Sequence, residues 1–423
     1  MASRSRVLFA ALTLPFPPTN GHRLRTWSLL RALAADGYSV TLVSLAEPDE
    51  LNGDIRQLSE VCTAVELVRA PRRSSSPKEL LARLRAIPSP APYAASRLYS
   101  QTFRTAAERH LAQEPFDFVL CDGIYNVQNL PQDPRVPVLL NKDDVAHVIM
   151  DRYFQLQRNP AKKLYARLEA WKVRRWERTA CSRMKAVLTC SHVDRSILQR
   201  LCPRVPMHVI PNVVDTEHYA PMGTPEPRTV LFQGGMDWHP NRDAVEFFAT
   251  VILPKLRELV PRATFRIAGR SPSAVFRRKF GENSGLEFTG AVPDMRTEIA
   301  KATLCVVPLR IGSGTRLKIL EAGAMGKAVV STRLGAEGLE FTDGQDIVLA
   351  DEPRDFAEAI AALLADASRR EQIGAAARCR VESAYSLPVL CGAVRAALCQ
   401  LCDPVPPRPR SYTTPSRPLD VPS

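Results

Sequence analysis

The 423-residue sequence contains no run of eighteen or more apolar residues, so length alone argues against a membrane-spanning helix and leaves only peripheral membrane contact. Its ten cysteines show no paired spacing. The one C-x-x-C, Cys399 to Cys402, has neither a second half nor a nearby histidine pair, which argues against zinc and for reduced, buried thiols in a cytosolic protein. No convincing D-x-D pair occurs, so no metal is expected in the chemistry. The turn ALTLPFPPTNG lacks the G-x-G-x-x-G of a dinucleotide site, which speaks against a nicotinamide oxidoreductase. Arg4 and Arg6 before an apolar run imitate a signal peptide. Pro15, Pro17 and Pro18 follow instead of a small-residue cleavage site, and Val7 to Leu14 reads as a first buried strand.

What is present suggests two cores, because 423 residues at 45% hydrophobic composition exceed one ordinary domain. The net charge of +13 favours an anionic partner, whether nucleotide, phospholipid surface or nucleic acid, without choosing among them. Aromatics and cations are not interleaved on any recognisable nucleic-acid module, so no nucleic-acid partner is expected.

The pattern after the first strand is that of a βαβ unit. Thr19 or Asn20 can cap a helix with Leu24, Trp27, Leu30 and Leu33 at helical spacing, Gly37 ends it, and a strand runs from Tyr38 to Leu45. FDFVLCD (116–122) and VPVLLNKDD (136–144) read as further strands that end in polar residues, as parallel strands do where loops leave their carboxyl ends. The Pro- and Ser-rich, cationic segment PRRSSSPKELLARLRAIPSPAPY reads as an exposed excursion. A helix from about Pro160 to Arg178, strand MKAVLTCS and strand MHVIPNVVD precede a linker, APMGTPEPR. From Arg228 the pattern restarts: TVLFQGG, a helix near 241–259, then ATFRIAG, LEFTG, ATLCVVPL and AVVST as strands. The fold class implied is α/β with two doubly wound domains. The tail DPVPPRPRSYTTPSRPLDVPS has too few large apolar residues to fold.

ATLCVVPL delivers RIGSGTRLKILEAGAMGKAVVST to the carboxyl end of a strand, where ligands of such sheets sit. Gly312 and Gly314 allow close backbone approach, and a helix starting near Thr315 would offer unpaired N–H groups and its positive dipole end to a phosphate. Arg316 and Lys318 could add charge, or they could be merely solvated. Glu321 follows on an otherwise apolar helix, three residues after Lys318 and on the same face; a pair of sugar hydroxyls would satisfy it.

The pattern GxGxRLKxLEAxAxGKxVVSTxxGxEGL resembles the donor-site signature of the GT-B, family-4-like retaining glycosyltransferases, with the sugar transferases of the exopolysaccharide and PEP-CTERM-associated type as the nearest kind. FPPTNGHRLRTWSLLRALAADGYSVTLVS resembles that family's first βα unit, CSHVDRSIL its domain-closing strand and helix, VIPNVVDTEHY its crossover, and QGGMDWHPNRDAVEFF the opening of its second domain. The likeness covers roughly residues 6–400.

The resemblance implies two Rossmann-like domains facing a cleft: residues 1–205 on the acceptor side and 206–385 holding the donor. Residues 386–402 would form a helix returning to the first domain, and 403–423 a disordered tail. It implies transfer, with retention, from a nucleotide-diphosphate sugar to a glycan or lipid-linked acceptor, without a metal cofactor, in a cytoplasmic protein that touches the inner membrane face at most peripherally. By resemblance Glu321 binds the ribose, and Gly312, Ser313, Gly314, Thr315 and Gly235 line the donor. Arg316 and Lys318 neutralise the leaving diphosphate, Asp143 faces the sugar, and Asn20 and Gly21 lie on the acceptor side. The chain departs from the family in four places. Ser313 stands eight before Glu321 where many members have glutamate, Asp143 where histidine is frequent, and Val213 where glycine is usual; Gly21 replaces a common Gly-Gly. A non-catalytic nucleotide- or glycan-binding relative is therefore the alternative. Trp238 could stack a base or simply pack, and His22, His147 and His239 read as surface or satisfied residues, His147 alone having a possible place near the cleft.

Overall fold

The computed structural model describes residues 5–71, 76–270, 273–280 and 285–401. They form two units: the described residues up to Pro211 together with Leu390–Leu401, and Asn212–Val389.

The first unit is built on a seven-stranded sheet in the order β3-β2-β1-β4-β5-β6-β7. Its strands are β1 Arg6–Ala11, β2 Ser39–Ala46, β3 Ala64–Arg69, β4 Phe118–Asp122, β5 Val138–Lys142, β6 Ala186–Thr189 and β7 Met207–Val209, and every pairing is parallel. Val7 to Ala11 and all of β4 and β5 are buried, as strands covered by helices on both faces must be. β3 is an edge strand with a mostly half-exposed pattern and has no counterpart among the expected strands. The expected boundary at residue 206 falls instead at Pro211/Asn212, because Met207–Val209 pairs with β6 and extends the first sheet. Within the expected excursion, Ser76–Ala86 is a helix, and a second helix, Tyr93–Leu98, begins at the excursion's last residue. Leu, Ala and Arg are good helix formers and outweigh the flanking prolines.

The second unit repeats the plan with six parallel strands in the order β10-β9-β8-β11-β12-β13. They are β8 Thr229–Gln233, β9 Thr264–Ala268, β10 Leu286–Gly290, β11 Leu304–Val307, β12 Val329–Ser331 and β13 Val348–Leu349. Each strand order reverses once, between β1 and β4 and between β8 and β11, which opens a crevice outside the strands' carboxyl ends. The helix expected over 241–259 is split. His239–Phe247 and Leu253–Leu259 are α-helical and Phe248–Ile252 is a π-turn just before Pro254, whose missing N–H interrupts the ladder.

The stretch Ala367–Leu401 has the length and, over one 18-residue window, the apolarity of a membrane span, so the lack of a long apolar run did not exclude one by composition. In the fold it breaks at Tyr385–Ser386 into two helices, Ala367–Ala384 and Leu387–Leu401. Leu390, Val394 and Leu398 of the second are buried, and Arg395 pairs with the buried Asp36 of the first unit. The expected tail, 403–423, lies outside the described residues.

Candidate functional site

In the second unit the loops leaving β8 and β11 converge at the strand-order reversal. The β11 loop, 308–316, carries Gly312 at φ +150° and Gly314 at φ +75°, conformations that favour glycine. Arg316 is buried: its Nη1 donates to the Ser313 carbonyl (2.7 Å) and to that of Gly314, and its Nη2 to Leu334 O (3.3 Å). The guanidinium thus braces the Gly-Ser-Gly turn from within. Thr315 Oγ1 accepts from Asn212 Nδ2 at 2.8 Å, which ties the Pro-Asn segment to the same loop. The helix that follows spans Leu317–Ala324, two residues later than expected, with Arg316 at its N-cap.

Lys318 leaves the first turn of that helix toward β8. Its Nζ lies 4.0 Å above the Phe232 ring and donates to Asn241 Oδ1 at 2.9 Å, while Asn241 Nδ2 donates to Gly235 O at 2.9 Å. Gly234 has φ +151°, and a methyl there would sit 2.7 Å from Asn241 Nδ2 and 3.1 Å from Lys318 Nζ, so the amine and amide occupy the space that glycine leaves open. Glu321 accepts from Tyr219 Oη (3.3 Å) through one oxygen and from Gln233 Nε2 through the other, and Gln233 Oε1 is buried without a hydrogen-bond partner among the described residues. Burial disfavours both charges. It pushes Lys318 down to about 7, helped by the Arg316 charge and opposed by Glu321, and pushes Glu321 up to about 7 against the Tyr219 hydrogen bond and Lys318. Trp238, 51% exposed, caps the helix His239–Phe247 beside this group, with Asp237 and Arg270 paired at 3.4 Å.

In the first unit the corresponding strand ends hold a polar network. Asn20 is the N-cap of the helix Gly21–Ala35, its side chain accepting from Arg23 N, and Gly21 opens that helix. His22 in the first turn lies between two carboxylates: Nδ1 is 2.9 Å from Asp143 Oδ2 and Nε2 is 3.0 Å from Asp122 Oδ2. Burial opposes the imidazolium, but Asp122 and Asp143 outweigh it and raise His22 well above its ordinary value; Asp143 is lowered despite burial, chiefly by His22. Asp122 also accepts from Thr26 Oγ1 (2.9 Å) and Asn141 Nδ2 (2.7 Å), and Asn141 Oδ1 accepts from Arg25 Nε (2.9 Å). Asp144 is pushed up to about 7 by burial and by Asp143. Behind it, Lys142 Nζ donates to the fully buried Glu177 at 2.7 Å, and Glu177 also holds His147, whose imidazole is therefore a satisfied core group.

The structure thus brings together Gly312, Ser313, Gly314, Thr315, Arg316, Lys318, Glu321 and Gly235 in the second unit, and Asn20, Gly21 and Asp143 in the first. Sequence reasoning passed over Gln233, Asn241 and Tyr219. The first two are amides at the end of a strand and the start of a helix in QGGMDWHPN, and that placement was their only signal. It also passed over the His22–Asp122 pair, whose members are 100 residues apart. No group of three or more His, Cys, Asp or Glu positioned to hold a metal occurs among the described residues.

Family models match both units: Glycosyltransferase Family 4 over residues 19–218 and Glycosyl transferases group 1 over residues 227–366. No curated protein matches significantly. Among solved structures, sucrose-phosphate synthase from Thermosynechococcus elongatus aligns at TM-score 0.69 and 17% identity, over 94% of this chain and 99% of that one. TarM of S. aureus aligns at 0.68 and 10%, over 95% and 99%. HepE of Anabaena, in complex with UDP, aligns at 0.60 and 13%, over 93% and 100%. The fold is GT-B. With a glycosyltransferase model matched in each unit, the chain belongs to the GT-B glycosyltransferases and is a sugar-transferring enzyme.

Proposed function

We propose that this enzyme moves a sugar from a nucleotide-diphosphate sugar, held by the second unit, to a glycan or lipid-linked acceptor taken by the first, with retention of anomeric configuration. The observation that carries the reading is the placement of Lys318 and Glu321 on one helix at the β8/β11 reversal, an amine held by Asn241 and a carboxylate whose neighbour Gln233 keeps one buried oxygen open to a ligand donor. The ribose hydroxyls would bond Glu321 and Gln233. The diphosphate would lie on the amides of Gly312–Thr315 and against Lys318, which meets the charge that grows on the leaving group. Arg316 acts through the loop it braces. No metal ion is assigned a role. Structures of HepE with UDP, UDP-glucose, and UDP with glucose support a nucleotide-sugar donor by analogy of fold. Asp143, held by His22, would meet the sugar or acceptor hydroxyl on the first unit. Polysaccharide or lipid-linked glycan synthesis at the cytoplasmic membrane face fits the basic charge of +13.

Ser313 in place of a family glutamate, and Asp143 in place of a family histidine, favour the second reading, a relative that binds nucleotide or glycan without transfer. Assaying hydrolysis and transfer across a panel of nucleotide sugars separates the two. Within the enzymatic reading, Lys318→Ala should depress kcat about 100- to 1000-fold, the loss typical of one transition-state donor. Glu321→Gln should chiefly weaken nucleotide affinity, by roughly 10- to 100-fold. Wild-type values for both variants would refute the donor-site assignment.

A further inference from the structure

The first unit exposes large apolar side chains beside a concentration of positive charge. On the helix Pro160–Ser182, Leu164 is 72% exposed and Trp171 is 55% exposed, seven residues apart and so on one stripe. Lys162, Lys163, Arg167, Arg174, Arg175 and Arg178 are also exposed on this helix, whereas its two acidic residues, Glu169 and Glu177, are both buried. Its water-facing side is therefore cationic and apolar, with no carboxylate.

The preceding helical segment adds to it. Leu81, Leu84 and Ile87 are exposed, as are Arg83 and Arg85. Lys172 Nζ donates to the carbonyls of Ala86 (2.8 Å) and Ile87 (2.9 Å), and Glu169 accepts from Tyr93 N at 3.0 Å beneath the Arg83 guanidinium, which lies 5.4 Å from the Tyr93 ring centre. These contacts hold the end of the helix Ser76–Ala86 against the middle of Pro160–Ser182. A groove of about 590 Å³, lined by Leu81, Ala82, Arg85, Ala86, Ser89 and Ser96, opens beside them.

Scattered exposed leucines are ordinary, but a group of them ringed by arginines marks an interaction surface. We infer that this face seats the protein on an anionic lipid bilayer, with the leucines, Ile87 and Trp171 at the headgroup–acyl boundary and the arginines on lipid phosphates. Charge complementarity selects an anionic partner. The mainly aliphatic apolar members select hydrocarbon over nucleobases, which would be stacked by aromatic rings. The inference deepens the lipid-linked-acceptor reading above, and rests on it only for the benefit of membrane attachment; none of its residues belongs to the donor or acceptor groups.

The test is co-sedimentation of the full chain with vesicles of phosphatidylcholine alone, or of equal parts phosphatidylcholine and phosphatidylglycerol, alongside calorimetry with UDP. The wild type should partition strongly onto the phosphatidylglycerol vesicles only. Arg167→Gln with Arg174→Gln should cut partitioning about 25-fold, each arginine being worth roughly fivefold at an anionic surface. Leu164→Ser with Trp171→Ser should cut it by roughly tenfold or more. Nucleotide affinity should not change in either double variant, so weak UDP binding by the wild type would count against the donor site and not against this surface. Should the serine pair fail to fold, the glutamine pair and quenching of Trp171 fluorescence by brominated phosphatidylglycerol decide. Equal or absent binding to the two vesicle types, unchanged partitioning of the variants, or release from vesicles by an oligonucleotide at lower concentration than by free lipid would each overturn it, the last pointing to a nucleic-acid face instead.

Discussion

Lys318 and Glu321 sit three residues apart on one helix, and burial holds each against its ordinary ionisation, Lys318 down to about 7 and Glu321 up to about 7. At pH 8 the Lys318 amine of the free enzyme is therefore expected to be largely neutral, and a diphosphate bound beside it, as proposed, would restore the proton. Nucleotide-diphosphate binding at pH 8 should take up about one proton, read by calorimetry in buffers of different ionisation enthalpy, and Lys318→Ala should abolish the uptake. Glu321 also has a cost for the fold. Its raised value means that the contribution of its protonated form is fully present below the ordinary carboxylate value near 4.5 and is lost as pH rises through about 7, so above pH 7 the buried carboxylate opposes folding. Glu321→Gln should accordingly raise the Tm above pH 7, by roughly 2–4 °C for each kcal/mol regained, while it weakens nucleotide binding. A lower Tm at that pH would show that the Gln233 and Tyr219 hydrogen bonds stabilise the carboxylate more than burial disfavours it. Glu321 itself was legible in the sequence as a carboxylate on an apolar helix. Gln233, Asn241 and Tyr219 were not, because what selects them is proximity to Lys318 and Glu321 across 77 to 102 residues of chain.

At the scale of the element, the N-terminus of the helix Gly21–Ala35 is fastened to β4 and β5 through one imidazole. His22 is raised above its ordinary value and Asp143 lowered below its own, so the linkage is favourable from above the ordinary carboxylate value near 3.8, and is lost as pH rises through the raised His22 value. His22→Asn should therefore lower the Tm most between about pH 4 and 6.5, and the gap from wild type should close at alkaline pH. A gap independent of pH would mean that packing alone matters there. Most strands of both sheets were legible as short apolar segments, since strands covered on both faces are built mainly of apolar residues; β9 is an exception, carrying Arg266 in its middle among Glu226, Glu287 and Glu298. β3 and β13 were not: β3 is a half-exposed edge strand whose sequence, AVELVR, mixes charge with apolar residues, and Val348–Leu349 is too short to show a pattern. The π-turn at 248–252 could be suspected only from Pro254, and the helix Ser76–Ala86 was masked by the turn-forming residues beside it.

At the scale of the whole molecule, the chain leaves the first unit at Pro211 and rejoins it at Leu390. The returning helix Leu387–Leu401 buries Leu390, Val394 and Leu398 and places Arg395 on Asp36, a carboxylate 1% exposed at the C-cap of Gly21–Ala35. Arg395→Ala would leave that buried carboxylate without its charge partner, and should cost about 1–3 kcal/mol, seen as earlier unfolding in urea, whereas Arg395→Lys should recover part of the loss. The sequence by itself determined the repetition of the α/β plan and the likeness to sugar transferases, because apolar periodicity and the glycine-rich loop are local in the chain. Only the tertiary structure decided which polar groups meet: that Arg316 turns inward to brace its own loop, that His22 joins Asp122 and Asp143, and that the last helix belongs with the first strands. The last two depend on the strand order 3-2-1-4 of the first sheet, which sets side by side segments that lie about a hundred to several hundred residues apart along the chain; the first depends on the bend of the glycine loop, and no local pattern records any of these meetings.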